Sequence, residues 1–140
     1  MDKSKWADGP WTEEVDRLEF ESHGLACHIT RVSGLGHLCG YVGVPAGHPL
    51  YGISDGSIGV EVHGGVTFAE DECDGRSEGL WWIGFDCAHS GDVVPGSPLT
   101  RRATGLGEYR ADTYRTLAWV RAETEQLAEQ LARMKMSGEP

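Results

Sequence analysis

Apolar and polar residues alternate along the first part of the chain with a period of two, which is typical of half-exposed β-strands. The alternation covers residues 17–21, resumes over residues 25–32 after a His-Gly turn, and returns over residues 37–44 after a glycine-containing connection. Strands joined by such short connections pair in an antiparallel manner. The pattern therefore predicts an antiparallel meander of three strands.

The middle of the chain predicts shorter strands separated by turns and loops. Residues 58–63 and 66–69 are expected to form two strands around the turn His63-Gly64-Gly65. Residues 80–87 are expected to form a longer strand that is rich in aromatic residues. Two prolines in residues 45–52 remove backbone donors, so that stretch is predicted to be a structured loop.

The last part of the chain changes to a period of three and four, which predicts an amphipathic α-helix. The helix is expected to begin between Glu108 and Asp112 and to end at Ser137-Gly138. Its stripe consists of Tyr114, Leu117, Val120, Thr124, Leu127, Leu131 and Met134.

These elements predict an α+β fold, in which an antiparallel, meander-like β-sheet is covered on one face by one long C-terminal α-helix. Residues 1–11 are polar around a Gly-Pro break and are expected to be a loosely ordered lead-in. Residues 12–137 are expected to form a single α+β domain, a size that allows a substantial core.

The composition of the chain argues against some classes of binding partner. The chain has a formal net charge of −10 and a sequence pI near 4.9, which argues against binding to a nucleic acid polymer or to an anionic membrane. No apolar run approaches the roughly 20 residues of a membrane span, and the N-terminus has no signal-peptide core. We therefore expect a cytoplasmic protein whose cysteines are reduced.

Carboxylate, thiol and imidazole side chains occur together at the end of the predicted aromatic strand. Asp86, Cys87, His89 and Asp92 lie within seven positions, at the start of a long loop over residues 88–107. Carboxylates and imidazoles together suit acid–base chemistry near neutral pH. A thiol next to an imidazole suits nucleophilic chemistry, but a carboxylate directly before Cys87 raises the pKa of a thiol, which disfavours this reading.

A zinc site is a further alternative. His37, Cys39, Cys87 and His89 supply two pairs of ligand types, each pair on one face of a predicted strand. Buried cysteines are also common as small apolar residues, and this packing role outweighs the metal reading.

Arginines are concentrated before and within the predicted helix. Residues 101–121 contain five arginines and two acids, a local excess of positive charge in an acidic chain. Arginine makes planar, bidentate contacts with phosphate and stacks on aromatic rings. The glycines after His63 leave backbone amides open to a ligand. The residues predicted to bind a ligand are Tyr41, His48, Tyr51, His63, Gly64, Gly65, Trp82, Phe85, Asp86, His89, Asp92, Arg110 and Arg115.

Several long motifs resemble a family of small proteins encoded by bacteriophages. The similarity covers roughly residues 25 to 132, and its motifs are residues 36–45, 47–52, 62–68 and 81–89. By a weaker analogy of size, strand-then-helix order and phage setting, the chain is similar to phage sponge proteins of the Thoeris anti-defence type. Such proteins capture cyclic nucleotide-derived immune signals.

We therefore expect a cytoplasmic protein of an infected bacterial host that sequesters a small anionic, nucleotide-like ligand without turnover. Trp119 lies off the helix stripe, where it lines the site or faces a partner subunit of a homo-oligomer. Two alternatives stay open: a small His/Asp hydrolase, with or without zinc, and an acidic phage inhibitor that binds a host protein.

Overall fold

The computed structural model describes residues 1–54, 59–97 and 113–134. A single antiparallel sheet and one α-helix dominate these residues, after a short 3-10 helix at Pro10–Thr12. The elements are β1 (Arg17–Ser22), β2 (Leu25–Arg31), β3 (Leu38–Val44), β4 (Phe68–Glu70), β5 (Trp81–Asp86) and α1 (Leu117–Ala132).

The sheet begins as the predicted meander and then departs from it. Its strand order is β1-β2-β3-β5-β4, with every neighbouring pair antiparallel. The pairings of β1 with β2 and of β2 with β3 confirm the meander. Strand β5 lies between β3 and β4, so the aromatic strand is central and β4 is an edge strand.

One predicted strand is wrong. Residues 59–63 contain no strand, because their backbone groups bond to side chains of α1 rather than to a neighbouring strand. Only Phe68–Glu70 of the second half of the predicted hairpin joins the sheet. His63-Gly64-Gly65 is therefore a turn beside the helix and not the tip of a hairpin.

The helix covers one face of the sheet, as predicted, and its stripe packs into the core. Val120, Thr124, Leu127 and Leu131 are completely buried against the strands. At the closest approach, a Cβ added to Gly40 of β3 would lie 2.4 Å from the Thr124 hydroxyl. Glycine at this position lets the helix lie directly on the sheet.

The predicted start of the helix is wrong by several residues. Residues 113–116 are not helical, and α1 begins at Leu117. The hydroxyl of Thr116 accepts a hydrogen bond from the Trp119 amide, which is the geometry of an N-cap. Tyr114 shares the spacing of the stripe but precedes the helix.

The loop over residues 71–80 covers the opposite face of the sheet. The Arg76 guanidinium lies 4.8 Å from the Trp82 ring, and the Trp82 indole donates to the Ser77 carbonyl. His28 is fully buried, and its Nε2 lies 2.8 Å from Asp74. Both faces of the central strands are therefore covered.

Together these elements form the predicted α+β arrangement, with one C-terminal helix packed on a five-stranded antiparallel sheet. Within the described residues, no helix is long and apolar enough to cross a membrane.

Candidate functional site

Three chain segments meet where β5 leaves the sheet. The His63-Gly64-Gly65 turn, the loop after β5 and the residues that lead into α1 come together around one buried carboxylate. The polar and aromatic residues at this point are His63, His89, Asp92, Arg115 and Trp119, called here the Asp92 cluster.

Asp92 holds the cluster together. Its side chain is closed to solvent, and its two oxygens accept from His63 Nε2 at 2.8 and 3.0 Å. Arg115 Nε donates at 3.0 Å, and the His89 amide at 3.0 Å. Burial raises the pKa of Asp92, but hydrogen bonds from His63 and Arg115 outweigh it and leave the pKa below its ordinary value.

The backbone around Asp92 explains how Arg115 reaches it. Gly91 and Val93 exchange hydrogen bonds with Thr113, which forms a parallel bridge between Asp92 and Thr113. This bridge places the residue two positions later, Arg115, beside the carboxylate. The link also joins the loop after β5 to the start of the helix.

The Arg115 guanidinium is hydrogen-bonded through Nε and packs on the Trp119 ring. Its guanidinium carbon lies 4.7 Å from the centre of the Trp119 ring, a cation–π distance. The bond to Asp92 uses Nε, and neither Nη donates a hydrogen bond to a described residue. The Nη edge is the part of a guanidinium that makes bidentate contacts with phosphate or carboxylate.

His63 is fixed from three sides. Its ring meets Trp119 edge-on with centroids 5.1 Å apart, and its backbone amide donates to Glu123 at 2.7 Å. An ionised carboxylate only accepts hydrogen bonds, so the Nε2 bonded to Asp92 carries a proton. In a neutral ring the Nδ1 of His63 is then an acceptor, and it has no hydrogen-bond partner among the described residues.

Gly64 covers His89. A Cβ added to Gly64 would lie 2.2 Å from His89 Nε2, and Gly64 has a φ of +70°, so glycine is required for both space and conformation. The His89 Nε2 is buried 3.1 Å from Asp86 Oδ1, outside hydrogen-bond geometry, and it has no hydrogen-bond partner among the residues that the structure describes. Asp86 itself accepts from Thr67 and from the Ala88 amide.

His37 lies beneath the same end of the sheet. It is 6% exposed, and its Nδ1 is buried without a hydrogen-bond partner in the described part of the chain. Burial lowers its pKa, although the charges of Asp86 and Asp92 oppose this effect. His37 is therefore held in the neutral form.

The structure brings together seven of the thirteen residues predicted to bind a ligand. They are His63, Gly64, Gly65, Asp86, His89, Asp92 and Arg115. Arg110 lies outside the described residues.

Four of the other predicted residues have structural roles instead. Phe85 is buried under the helix and Trp82 under the 71–80 loop, because successive residues of a central strand point to opposite covered faces. Tyr41 stacks edge-on against Phe68 on the same covered face as Trp82. His48 is buried between the Leu131 carbonyl and the Leu50 amide.

Tyr51 is exposed but lies elsewhere. Its hydroxyl donates to the Gly79 carbonyl, and its ring lies 6.3 Å from that of Trp81. Trp81 begins β5, whereas the Asp92 cluster follows the end of β5. Tyr51 is therefore at the opposite end of the strand from the cluster.

The four predicted zinc ligands do not converge. Cys39 pairs with Asp86, so its side chain points away from the face that holds Cys87. Among residues 1–54, 59–97 and 113–134, no group of three or more His, Cys, Asp or Glu side chains is arranged to bind a metal ion. Burial raises the pKa of Cys39 to about 11 and that of Cys87 further. Neither thiol is therefore activated as a nucleophile.

No local sequence pattern identifies Glu123, which the structure adds to the site. Glu123 lies on the helix beside acids that make only surface pairs, and its role depends on a backbone amide 60 residues away. Trp119 could be singled out from the sequence, because it lies off the apolar stripe of the predicted helix.

No protein-family model, no curated protein and no solved structure matches this chain. The resemblance to a bacteriophage family therefore stays a prediction.

Proposed function

We propose that this protein binds a small anionic, nucleotide-like ligand at the Asp92 cluster and does not turn it over. The observation that carries the proposal is the placement of Arg115, which is anchored through Nε and lies on the Trp119 ring. Its two Nη groups suit a phosphate, and the surrounding rings of Trp119 and His63 suit a base or sugar face.

The charge of the cluster sets a condition on such binding. Arg115 and Asp92 neutralise each other, and Asp86 and Glu123 add negative charge close by. An anion therefore needs positive charge at the site in addition to that of Arg115. The arginines of residues 101–110 are expected to add the remaining positive charge.

The test compares two arginines that make similar contacts. Arg121 lies in α1, where its guanidinium carbon is 4.4 Å from the centre of the Phe20 ring, and it has no contact with Asp92. Calorimetry against cyclic dinucleotides, cyclic trinucleotides and cyclic ADP-ribose isomers would identify a ligand of the wild-type protein. We expect Arg115→Ala to weaken its binding by about tenfold or more, since a charged hydrogen bond contributes about 1.5–3 kcal/mol.

Arg121→Ala is the matched control, because it removes the same charge and a similar ring contact. Its affinity should stay within about twofold of wild type, which is within the range of a screened surface charge. Equal losses in the two variants, or no binding by the wild type, would contradict the proposal.

The biological role that we propose rests on the phage resemblance. In this role, the protein sequesters a cyclic-nucleotide-like signal in the cytoplasm of an infected host and so counters antiviral defence. Assembly into a homo-oligomer also stays a prediction, to be measured by light scattering.

A second candidate function follows from the His63–Asp92 pair. A carboxylate that holds Nε2–H leaves Nδ1 as a base able to activate water, as in a small hydrolase. In that case the same ligand panel would yield products. Product formation that is lost in His63→Gln would favour this candidate over sequestration.

A further inference from the structure

The segment that carries His63 is attached to the helix through its backbone. Gln130 receives a hydrogen bond from the Glu61 amide and donates one to the Glu61 carbonyl, both at 2.7 Å. Glu123 accepts from the His63 amide at 2.7 Å. Two side chains seven residues apart, on one face of α1, thus hold the positions that a partner strand would hold.

Apolar contacts alone would not fix this segment in place. Val60, Val62 and Val66 pack against the core, but such packing is non-directional and tolerates small shifts along the helix. Hydrogen bonds have strict distance and angle requirements, so Glu123 and Gln130 define the register of residues 59–65 against α1.

The position of His63 depends on that register. Trp119 lies one turn before Glu123, so the residue that receives the His63 ring and the residue that binds its amide share one helix face. A shift of the segment would separate the His63 ring from Asp92 and lift Gly64 from His89.

We propose that Glu123 and Gln130 are positioning residues of the ligand site, which act on the ligand only through His63 and Gly64. This inference rests on the proposed function. Its distinctive prediction is that the site can be weakened from helix side chains that do not touch the ligand.

The experiment measures amide hydrogen exchange and the ring-proton chemical shifts of His63 in Glu123→Ala and Gln130→Ala. We expect the His63 amide in the first variant, and the Glu61 amide in the second, to exchange about tenfold faster or more, since each loses a hydrogen bond. The His63 ring protons should move toward the shifts of a ring without a Trp neighbour. Binding of the ligand found for the wild type should weaken by about tenfold, while the melting temperature changes little.

Glu125→Ala and Gln126→Ala are the matched controls. Glu125 pairs only with Arg121 on the surface, and Gln126 contributes only its backbone carbonyl to the contacts of Gln130. Both controls should leave the exchange rates, ring shifts and affinity at wild-type values. Glu123→Gln keeps an acceptor oxygen and should restore most of the protection of the His63 amide.

The outcomes separate this inference from the proposed function. Unchanged exchange and ring shifts in Glu123→Ala would overturn the positioning role. Shifted His63 signals with undiminished ligand binding would overturn its connection to the site. If the His63 signals respond but the wild type binds nothing in the panel, the positioning role is supported and the proposed function fails.

Discussion

Asp92 is the residue on which the geometry of the site depends most. Its carboxylate joins a turn, a loop and the approach to the helix through side-chain and backbone donors. A charge this deeply buried is stable only because each oxygen is bonded and Arg115 balances it. Removing the charge leaves Arg115 and the His63 Nε2–H with a weaker acceptor.

We expect Asp92→Asn to lower the free energy of unfolding by about 2–3 kcal/mol near neutral pH, because it breaks a buried ionic contact. The folded pKa of Asp92 is depressed, so its contribution is present above the unfolded pKa of about 4. That contribution is lost as the pH falls through the folded pKa. Urea unfolding at a series of pH values should therefore show the difference between variant and wild type shrinking in acid.

Asp71→Asn is the control for this prediction. Asp71 is exposed on the 71–80 loop and loses the same charge. A loss of stability as large as that of Asp92→Asn, or one that does not depend on pH, would contradict the assigned role of Asp92.

At the scale of elements, α1 packs in close contact with β3 at Gly40. Thr124 bonds back to the Val120 carbonyl and presents its hydroxyl directly over Gly40. Phe85 of the neighbouring strand approaches the same point. The space at Gly40 is therefore closed on two sides.

We expect Gly40→Ala to destabilise the protein by about 1–3 kcal/mol, the usual range for overpacking a core. Differential scanning calorimetry would measure the loss. Adding Thr124→Ala removes the hydroxyl that the new methyl group meets and should recover part of it. A Gly40→Ala protein as stable as wild type would show that the helix can shift away from β3 without cost.

Much of the element structure was predictable because burial follows simple periods. Leu18 and Phe20 of β1 face the helix, and Val120, Leu127 and Leu131 complete the core. The prediction of a strand over residues 58–63 was wrong, because Val60 and Val62 alternate as in a strand but pack against the core without a neighbouring strand.

The candidate site was only partly predictable for a related reason. His63, His89 and Asp92 were predicted to belong to one site because they are polar residues beside glycines, and the structure places them in contact. Trp82 and Phe85 were also predicted to bind the ligand, but both are buried, because successive aromatic residues of a central strand pack on its two covered faces. Glu123 was missed because its contact depends on a chain path that no local pattern specifies.

At the scale of the whole molecule, all four cysteines are buried and free. Burial raises the pKa of Cys27 and of Cys73 to about 12. Thiols with such pKa values are almost entirely protonated at neutral pH and react slowly with electrophiles.

We therefore expect Ellman's reagent at neutral pH to label the native protein very slowly and to label four thiols per chain in guanidinium chloride. The ratio of the two rates reports the opening of the whole fold. Rapid labelling of one thiol in the native state would show that part of the core opens locally.

The position of β5 between β3 and β4 has a consequence for how the chain folds. Strands β1, β2 and β3 pair with their sequence neighbours and require only short loops to close, whereas Val42 of β3 must find Ile83 of β5. Distant pairings of this kind form late, because the entropy of a long loop is lost before they are made. The contact of His63 with Asp92 spans 29 residues and that of Arg115 with Asp92 spans 23, so these contacts also close long loops. We therefore expect the candidate site to assemble after the β1–β2–β3 meander, so that a newly made chain forms its meander before it can bind the proposed ligand.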